Sequence, residues 1–237
     1  MIIATGDLHG DWGPLNNLMN KKKPDVVFVC GDFGWWPKLD VNRPVLYTKQ
    51  APWNHKGLKV PKNTTVYWCD GNHEDHESIN ELVRAASFYV HGCGGIAVYP
   101  GVVYMPRGHT ICLPDGRVVL FFGGAYSVDK DIRTPGRDWF SEEIPSYQQF
   151  ETAMSHTSRI DIVVSHTAPT EWIPNVLHGE KFRDSTRGML SEILQRYRPK
   201  LWYHGHWHTR KTGRAYGTEW HSLDYPKHGN TWWVEVK

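Results

Sequence analysis

Ile2-Ile3-Ala4-Thr5-Gly6-Asp7-Leu8-His9-Gly10 joins four strand-forming residues to a Gly-Asp-x-His-Gly turn. A short buried strand here delivers two metal-capable side chains at its carboxyl end. The same layout recurs along the chain. Val26 to Cys30 runs into Gly31-Asp32, and Thr65 to Cys69 into Gly71-Asn72-His73-Glu74. Ile160 to Ser165 runs into His166-Thr167, and Leu201 to His204 into Gly205-His206-Trp207-His208. Short apolar runs bounded by polar clusters read as buried strands, and Val118 to Phe122 is another.

Helix-like stretches lie between several of these runs: around Pro14 to Asn20, His76 to Ala86, Tyr147 to His156, and Ser185 to Tyr197, the last with a Ser or Thr cap. Alternating strands and helices indicate an α/β fold. Ile96 to Tyr99, Val102 to Met105 and Thr110 to Leu113 sit close together between Pro-Gly, Arg-Gly and Asp-Gly turn signals. They read as antiparallel hairpins inside a mixed sheet. Phe33 to Asn63 and Val128 to Ser146 are long irregular stretches, and such loops are commonly lids or binding loops. There is no repeat and no Gly-, Ser- or Pro-rich linker, so residues 1–237 read as one domain.

The 27 Lys and Arg nearly balance 25 Asp and Glu, a net charge of +2 that argues against tight binding to duplex nucleic acid or an acidic membrane. Cys30, Cys69, Cys93 and Cys112 form no Cys-x-x-Cys pair, which fits a reduced, cytoplasmic setting. The first residues have neither a basic leader nor a long apolar run, so neither secretion nor membrane spanning is expected. The sequence leaves the oligomeric state open. Its 14 His and 12 Trp are the compositional signal: clustered histidines suggest metal, and tryptophans suggest core and rim.

In an open α/β sheet the carboxyl ends of neighbouring strands lie together, and ligands bind in the crevice outside them. Asp7 and His9, Asp32, Asn72 and His73, His166, and His206 and His208 would thereby become neighbours. Asp7 and His9, like His206 and His208, are two apart, which in extended backbone directs both side chains to one face. Gly6, Gly31, Gly71 and Gly205 would permit tight turns beside them.

Gly6-Asp7-Leu8-His9-Gly10, Gly31-Asp32, Gly71-Asn72-His73-Glu74, Ser165-His166-Thr167 and Gly205-His206-Trp207-His208 resemble the five ordered motifs of the calcineurin-like metallophosphoesterases. The match runs from residue 7 to 208. The resemblance implies a four-layer α/β/β/α sandwich: two mixed sheets packed face to face, with helices outside. It implies two divalent metal ions, one held by Asp7, His9, Asp32 and His208. Asp32 would bridge to the other, completed by Asn72, His166 and His206. His73 would stand beside the ions as the catalytic residue, a general acid for the leaving group. Manganese is the family analogue's metal, while an imidazole and amide donor set also suits iron, zinc, cobalt or nickel.

The charge count agrees. Two divalent ions carry four positive charges, of which Asp7 and Asp32 cancel two and the Asn and neutral His ligands none. The remaining excess suits a hydroxide and a phosphodiester anion, and two-metal sites typically sit roughly 3.5–4 Å apart. The expected reaction is direct attack of a metal-bound hydroxide on phosphorus.

Asp32-Phe33-Gly34-Trp35-Trp36 departs from the protein-phosphatase branch, which has an Asp and an Arg where Trp35 and Trp36 stand. The orienting carboxylate for His73 would then come from Glu74, Asp75 or Asp70. Without that Arg fork a dianionic monoester loses a bidentate partner. A phosphodiesterase acting on small nucleotide-like or cyclic phosphodiesters is therefore the leading expectation. A broad phosphomonoesterase, a nuclease and a non-enzymatic metal-binding scaffold are the alternatives. Trp35 and Trp36 could stack a base, worth roughly 1–3 kcal/mol, or simply fill the core. The segment Phe121 to Lys130 resembles a Gly-Gly strand end of some family members, with no role readable from its residues.

The remaining histidines, His55, His76, His91, His109, His156, His178, His204, His221 and His228, read as structural or surface residues. Arg133, Arg137, Arg183 and Arg187 lie near the long loops and read as solvated arginines, with phosphate contact the less common outcome. Lys21 to Lys23 suit a helix C-terminus, where cations complement the dipole.

Overall fold

A computed structural model of the chain describes residues 1–38, 57–86, 94–172 and 184–237. Cys93, His55, His91, His178, Arg183 and much of the stretch from 33 to 63 lie outside the described residues.

The strands form two six-stranded sheets. The first contains β1 (Ile2–Thr5), β2 (Val26–Cys30), β3 (Thr65–Cys69), β4 (Ile96–Tyr99), β5 (Val102–Tyr104) and β12 (Trp233–Glu235), in the order β12-β1-β2-β3-β5-β4. The second contains β6 (Thr110–Cys112), β7 (Val118–Phe122), β8 (Ile162–Ser165), β9 (Leu201–His204), β10 (Lys211–Ala215) and β11 (Thr218–Ser222), in the order β10-β11-β9-β8-β7-β6. In each sheet a parallel centre is flanked by antiparallel edge strands, so both sheets are mixed.

The continuous apolar runs follow from having both faces of each sheet covered. Along β2, Val27 and Val29 face the helices α1 (Trp12–Lys22) and α2 (His76–Ala86), while Val26, Phe28 and Cys30 face the other sheet. Along β7, Leu120 and Phe122 face α3 (Tyr147–Met154) and α4 (Ser185–Tyr197), while Val119 and Phe121 meet Phe28 between the sheets. Phe28, Phe121, Val164 and Tyr203 are fully buried in that middle layer. Each such side chain stabilises the sandwich by about 1.5–3 kcal/mol. The result is the expected order of helices, sheet, sheet and helices.

Local chemistry sets the helix ends. Lys23 takes a left-handed conformation and its N–H closes α1 on the Met19 carbonyl, with Lys21 and Lys22 in the last turn. Ser146 and Gln149 form a reciprocal capping box at α3. Asp184 caps α4 by accepting the Thr186 N–H at 2.9 Å, a role expected of a Ser or Thr.

Two features differ from the expectation. The hairpins of residues 96–122 belong to different sheets: β4 and β5 form an edge of the first, and β6 and β7 lie in the second. The chain crosses between sheets after Tyr104, where Met105 still packs in the middle layer. The C-terminal strands β10, β11 and β12 went unread. β10 is an exposed polar edge, and its turn into β11 places Tyr216 (φ +54°) and Gly217 (φ +85°) in the left-handed region that tight hairpins require. Among the described residues, no helix is long and apolar enough to cross a membrane.

Candidate metal centre

The carboxyl ends of β1, β2 and β3 from one sheet, and of β8 and β9 from the other, bring all seven expected ligands into one cluster. His9 Nε2 lies 3.2 Å from His208 Nε2, 3.6 Å from Asp32 Oδ2 and 4.0 Å from Asp7 Oδ2. His208 Nε2 is 2.8 Å from Asp7 Oδ2. On the other side, Asn72 Oδ1 lies 2.9 Å from His166 Nε2 and 3.0 Å from His206 Nδ1. His166 Nε2 is 3.5 Å from Asp32 Oδ1. Asp32 thus turns one carboxylate oxygen toward each half of the cluster.

The donor chemistry fits cations. His166 Nδ1 lies 2.8 Å from the Cys30 carbonyl, and in the tautomer that donates this N–H its Nε2 carries a lone pair. The Asn72 amide donates through Nδ2 to Ser127 Oγ at 3.0 Å, so its Oδ1 also brings lone pairs. Two lone-pair atoms 2.9 Å apart repel unless a positive charge sits between them. Groups of Asp7, His9 and His208, and of Asp7, Asp32 and His166, each converge closely enough to hold an ion.

The titration behaviour points the same way. Burial would raise Asp32, but the imidazoles of His166, His73 and His9 and the His73 N–H hold it far below the usual carboxylate range. Asp7 is likewise raised by burial and lowered further by His208. Burial keeps His9 below its ordinary value and takes His206 down to about 3, so both present unprotonated nitrogens. His208 is pushed down by burial but drawn up by Asp7, to about 9, in the metal-free chain.

The backbone is strained where it carries these side chains. His9, Asp32, His206 and His208 have φ of 48°, 44°, 68° and 44°. Non-glycine residues enter this region at a cost of roughly 1–2 kcal/mol each, and they cluster at functional sites. The paired orientation of Asp7 with His9, and of His206 with His208, therefore comes from left-handed turns and not from extended backbone. Among the four glycines only Gly31 needs a positive φ. Gly71 and Gly205 supply room: a Cβ at either would lie 2.0 Å from Asp32 Oδ1 or Asp7 Oδ1 respectively.

His73 sits at the rim with its ring edge-on to His9, centroids 5.3 Å apart, and its side chain 12 % exposed. Burial lowers its pKa well below the ordinary value, although the Asp32 charge opposes this. The carboxylates expected to orient it are engaged by other groups. Glu74 accepts the backbone N–H groups of Phe33, Gly34 and Trp35. Asp75 caps the first turn of α2 through Ser78, and Asp70 is tied to Arg107 and Tyr104. Asp129 faces the His73 ring, with Oδ2 3.9 Å from Nε2.

Of the two readings of Trp35 and Trp36, their burial favours core packing. They are 8 % and 2 % exposed. Trp35 packs beside Trp68 in the core under the helices. Trp36 donates its indole N–H to the His73 carbonyl at 3.0 Å, and so holds the backbone that carries His73.

Sequence reasoning marked the loop after β7 as a binding loop but did not find the residues that reach the site from it. Ser127, Asp129, Arg133 and Glu143 approach the cluster from a sixth strand end, behind Asn72 and His73. The Gly123-Gly124 pair was the visible signal: a Cβ at Gly123 would lie 2.5 Å from the Asp70 carbonyl, so the loop can enter only without side chains there. Tyr225 was missed as well; its ring stacks on His208 and meets His9 edge-on, both at 5.2 Å. His204 is structural: the pleat of β9 turns it to the helix side, stacked on Trp172, while His206 beyond the turn reaches the site. His109, His156, His221 and His228 are engaged by Gly94 O, Gly108 O, Glu219 and Asp224, and His76 is buried.

No curated protein sequence matches the chain. The solved structure of a phosphopantetheinyl hydrolase from Mycobacterium tuberculosis shares the fold, with a TM-score of 0.54 at 13 % identity, covering 99 % of this chain and 95 % of that one. The family model of the calcineurin-like phosphoesterases matches residues 1–210. With that match spanning most of its length, the chain belongs to the calcineurin-like phosphoesterases and is a metal-dependent phosphoric ester hydrolase.

Proposed function

We propose that this enzyme hydrolyses phosphodiesters, most favourably small nucleotide-like or cyclic ones, with two manganese ions and with His73 as the proton donor to the leaving alkoxide. Asp7, His9, Asp32 and His208 would hold one ion, and Asp32, Asn72, His166 and His206 the other. Divalent ions bound there supply Lewis acidity toward the phosphoryl oxygens and lower the pKa of the attacking water. Asp32 keeps the two halves in register, because its two oxygens face opposite sets of donors.

His73 is neutral while the site is free of substrate, since burial outweighs the pull of Asp32. Asp129 faces the ring at 3.9 Å, and an anionic phosphoester beside it would add a second negative charge. To act as the acid, His73 must gain its proton against the pull of burial, and the substrate's negative charge is what favours that gain. The Trp36 hydrogen bond to its carbonyl keeps the His73 backbone in place.

The observation that carries the diester preference is the fate of arginine. Arg133, whose guanidinium reaches the Asn72 carbonyl at 3.1 Å, is 6 % exposed and turned inward onto Ser127 and Asp129. Arg187 is committed to the carbonyls of Ala168, Pro169 and Trp172, and Arg137 lies on the surface. Arg133 and Arg187 thus offer a dianionic monoester no bidentate guanidinium, whereas a singly charged diester needs none.

The test is the manganese-loaded protein assayed on bis(nitrophenyl) phosphate and mononitrophenyl phosphate side by side. A higher kcat/KM for the diester is expected, and equal or reversed values overturn the preference. Asp32→Ala should lose metal and turnover together; an active, metal-free Asp32→Ala enzyme would end the two-ion reading.

A further inference from the structure

An Asn side chain is a metal ligand only when its oxygen, and not its NH2, faces the ion, and the two ends of the amide are nearly isosteric. Something must choose between them. The residues behind Asn72 make that choice. Asn72 Nδ2 donates to Ser127 Oγ at 3.0 Å. Ser127 Oγ can only accept there, because its own proton goes to Glu143 Oε2 at 2.6 Å. Glu143 Oε1 fixes the serine from the other side by accepting the Ser127 N–H at 2.8 Å. Arg133 adds a second donor to Ser127 Oγ at 2.6 Å and pins the Asn72 carbonyl at 3.1 Å. Ser127 is fully buried and Glu143 1 % exposed, so water offers no substitute for any of these bonds.

We infer that Ser127, Arg133 and Glu143 are positioning residues for the metal centre, a relay in which a carboxylate takes the serine proton so that the serine oxygen holds the NH2 of Asn72 away from the ion. The inference rests on the two-ion reading above and deepens it. It also gives a role to the Gly-Gly segment, which carries Ser127 under the site.

The relay makes a prediction that simple packing does not. An Asp in place of Asn72 offers an oxygen whichever way it turns, so it needs no orientation. Manganese titrations of chelator-stripped protein, followed by calorimetry and by metal analysis, should show Ser127→Ala weakening the second ion about 10- to 100-fold, the usual cost of losing an outer partner. In the Asn72→Asp background the same Ser127→Ala change should move affinity less than about threefold. Glu143→Gln, which preserves size but can donate to the serine oxygen and turn its proton toward Asn72, should weaken the second ion in a folded protein; this variant decides the matter should Ser127→Ala fold poorly. Cobalt-substituted protein should show a changed absorption spectrum in both variants.

Equal losses of affinity with and without the Asn72→Asp change, or unchanged affinity in Ser127→Ala and Glu143→Gln, would overturn the relay while leaving the two-ion reading intact. Failure of the unmodified protein to bind a second ion would instead sink the reading beneath it.

Discussion

Gly71→Ala adds one methyl group to a residue that is neither ligand nor acid, and it should disable the enzyme. The φ of Gly71 is not in the left-handed region, so alanine is conformationally permitted there. Space is the obstacle. The new Cβ would lie 2.0 Å from Asp32 Oδ1 and 2.4 Å from the Asp32 nitrogen, whereas real Cβ contacts essentially never fall below 3.0 Å. Asp32 must therefore retreat by about 1 Å, several times the roughly 0.2 Å tolerance of a metal–ligand bond. Because Asp32 faces both halves of the cluster, both ions lose a partner at once. A displacement of this size costs on the order of 100-fold in turnover, and the overpacking costs about 1–3 kcal/mol of stability. The assay is metal per protein, turnover with manganese, and a denaturant curve. Gly188→Ala is the control: its Cβ meets nothing within 4 Å inside α4, so it should stabilise by about 0.5–1 kcal/mol and leave the metal alone. Two bound ions and near-parental turnover in Gly71→Ala would refute the reasoning.

Three further outcomes are expected. His73→Ala should retain both ions and lose about 100- to 10,000-fold on an alkyl phosphodiester. It should lose far less on a nitrophenyl ester, whose leaving group departs unprotonated, and equal losses on the two would reject His73 as the acid. In the metal-free chain His208 is raised from 6.5 to about 9, so the Asp7–His208 pair stabilises the fold fully below pH 6.5 and ceases to do so as pH rises through about 9. Manganese must displace that proton, so uptake at about pH 7.5 should release close to one proton, read from the dependence of binding enthalpy on the buffer; no release would contradict the assignment. Arg107→Ala strands the buried Asp70 carboxylate, now paired at 2.6 Å, and frees the carbonyls of Glu142 and Glu143. It should cost about 3–5 kcal/mol in a denaturant titration, and a loss below about 1 kcal/mol would show the pair to be dispensable.

The sequence by itself determined the central strands and the seven metal-capable side chains that gather at their ends. Each buried strand must be apolar on both faces, and each such side chain follows a strand directly, so Val26 to Cys30 and then Asp32 are readable without coordinates. Edge strands and supporting contacts were not readable, for a physical reason. β10 is polar because it is exposed, so it carries no burial pattern to detect. Whether Trp35 meets substrate or core depends on what lies across from it, and Trp68 comes from a different strand. Asp129 reaches His73 from a distant loop, and Ser127 orients Asn72 across 55 residues of chain. Residue type and spacing along the chain record what a position can do; only the packed sheets decide which distant group it does it with.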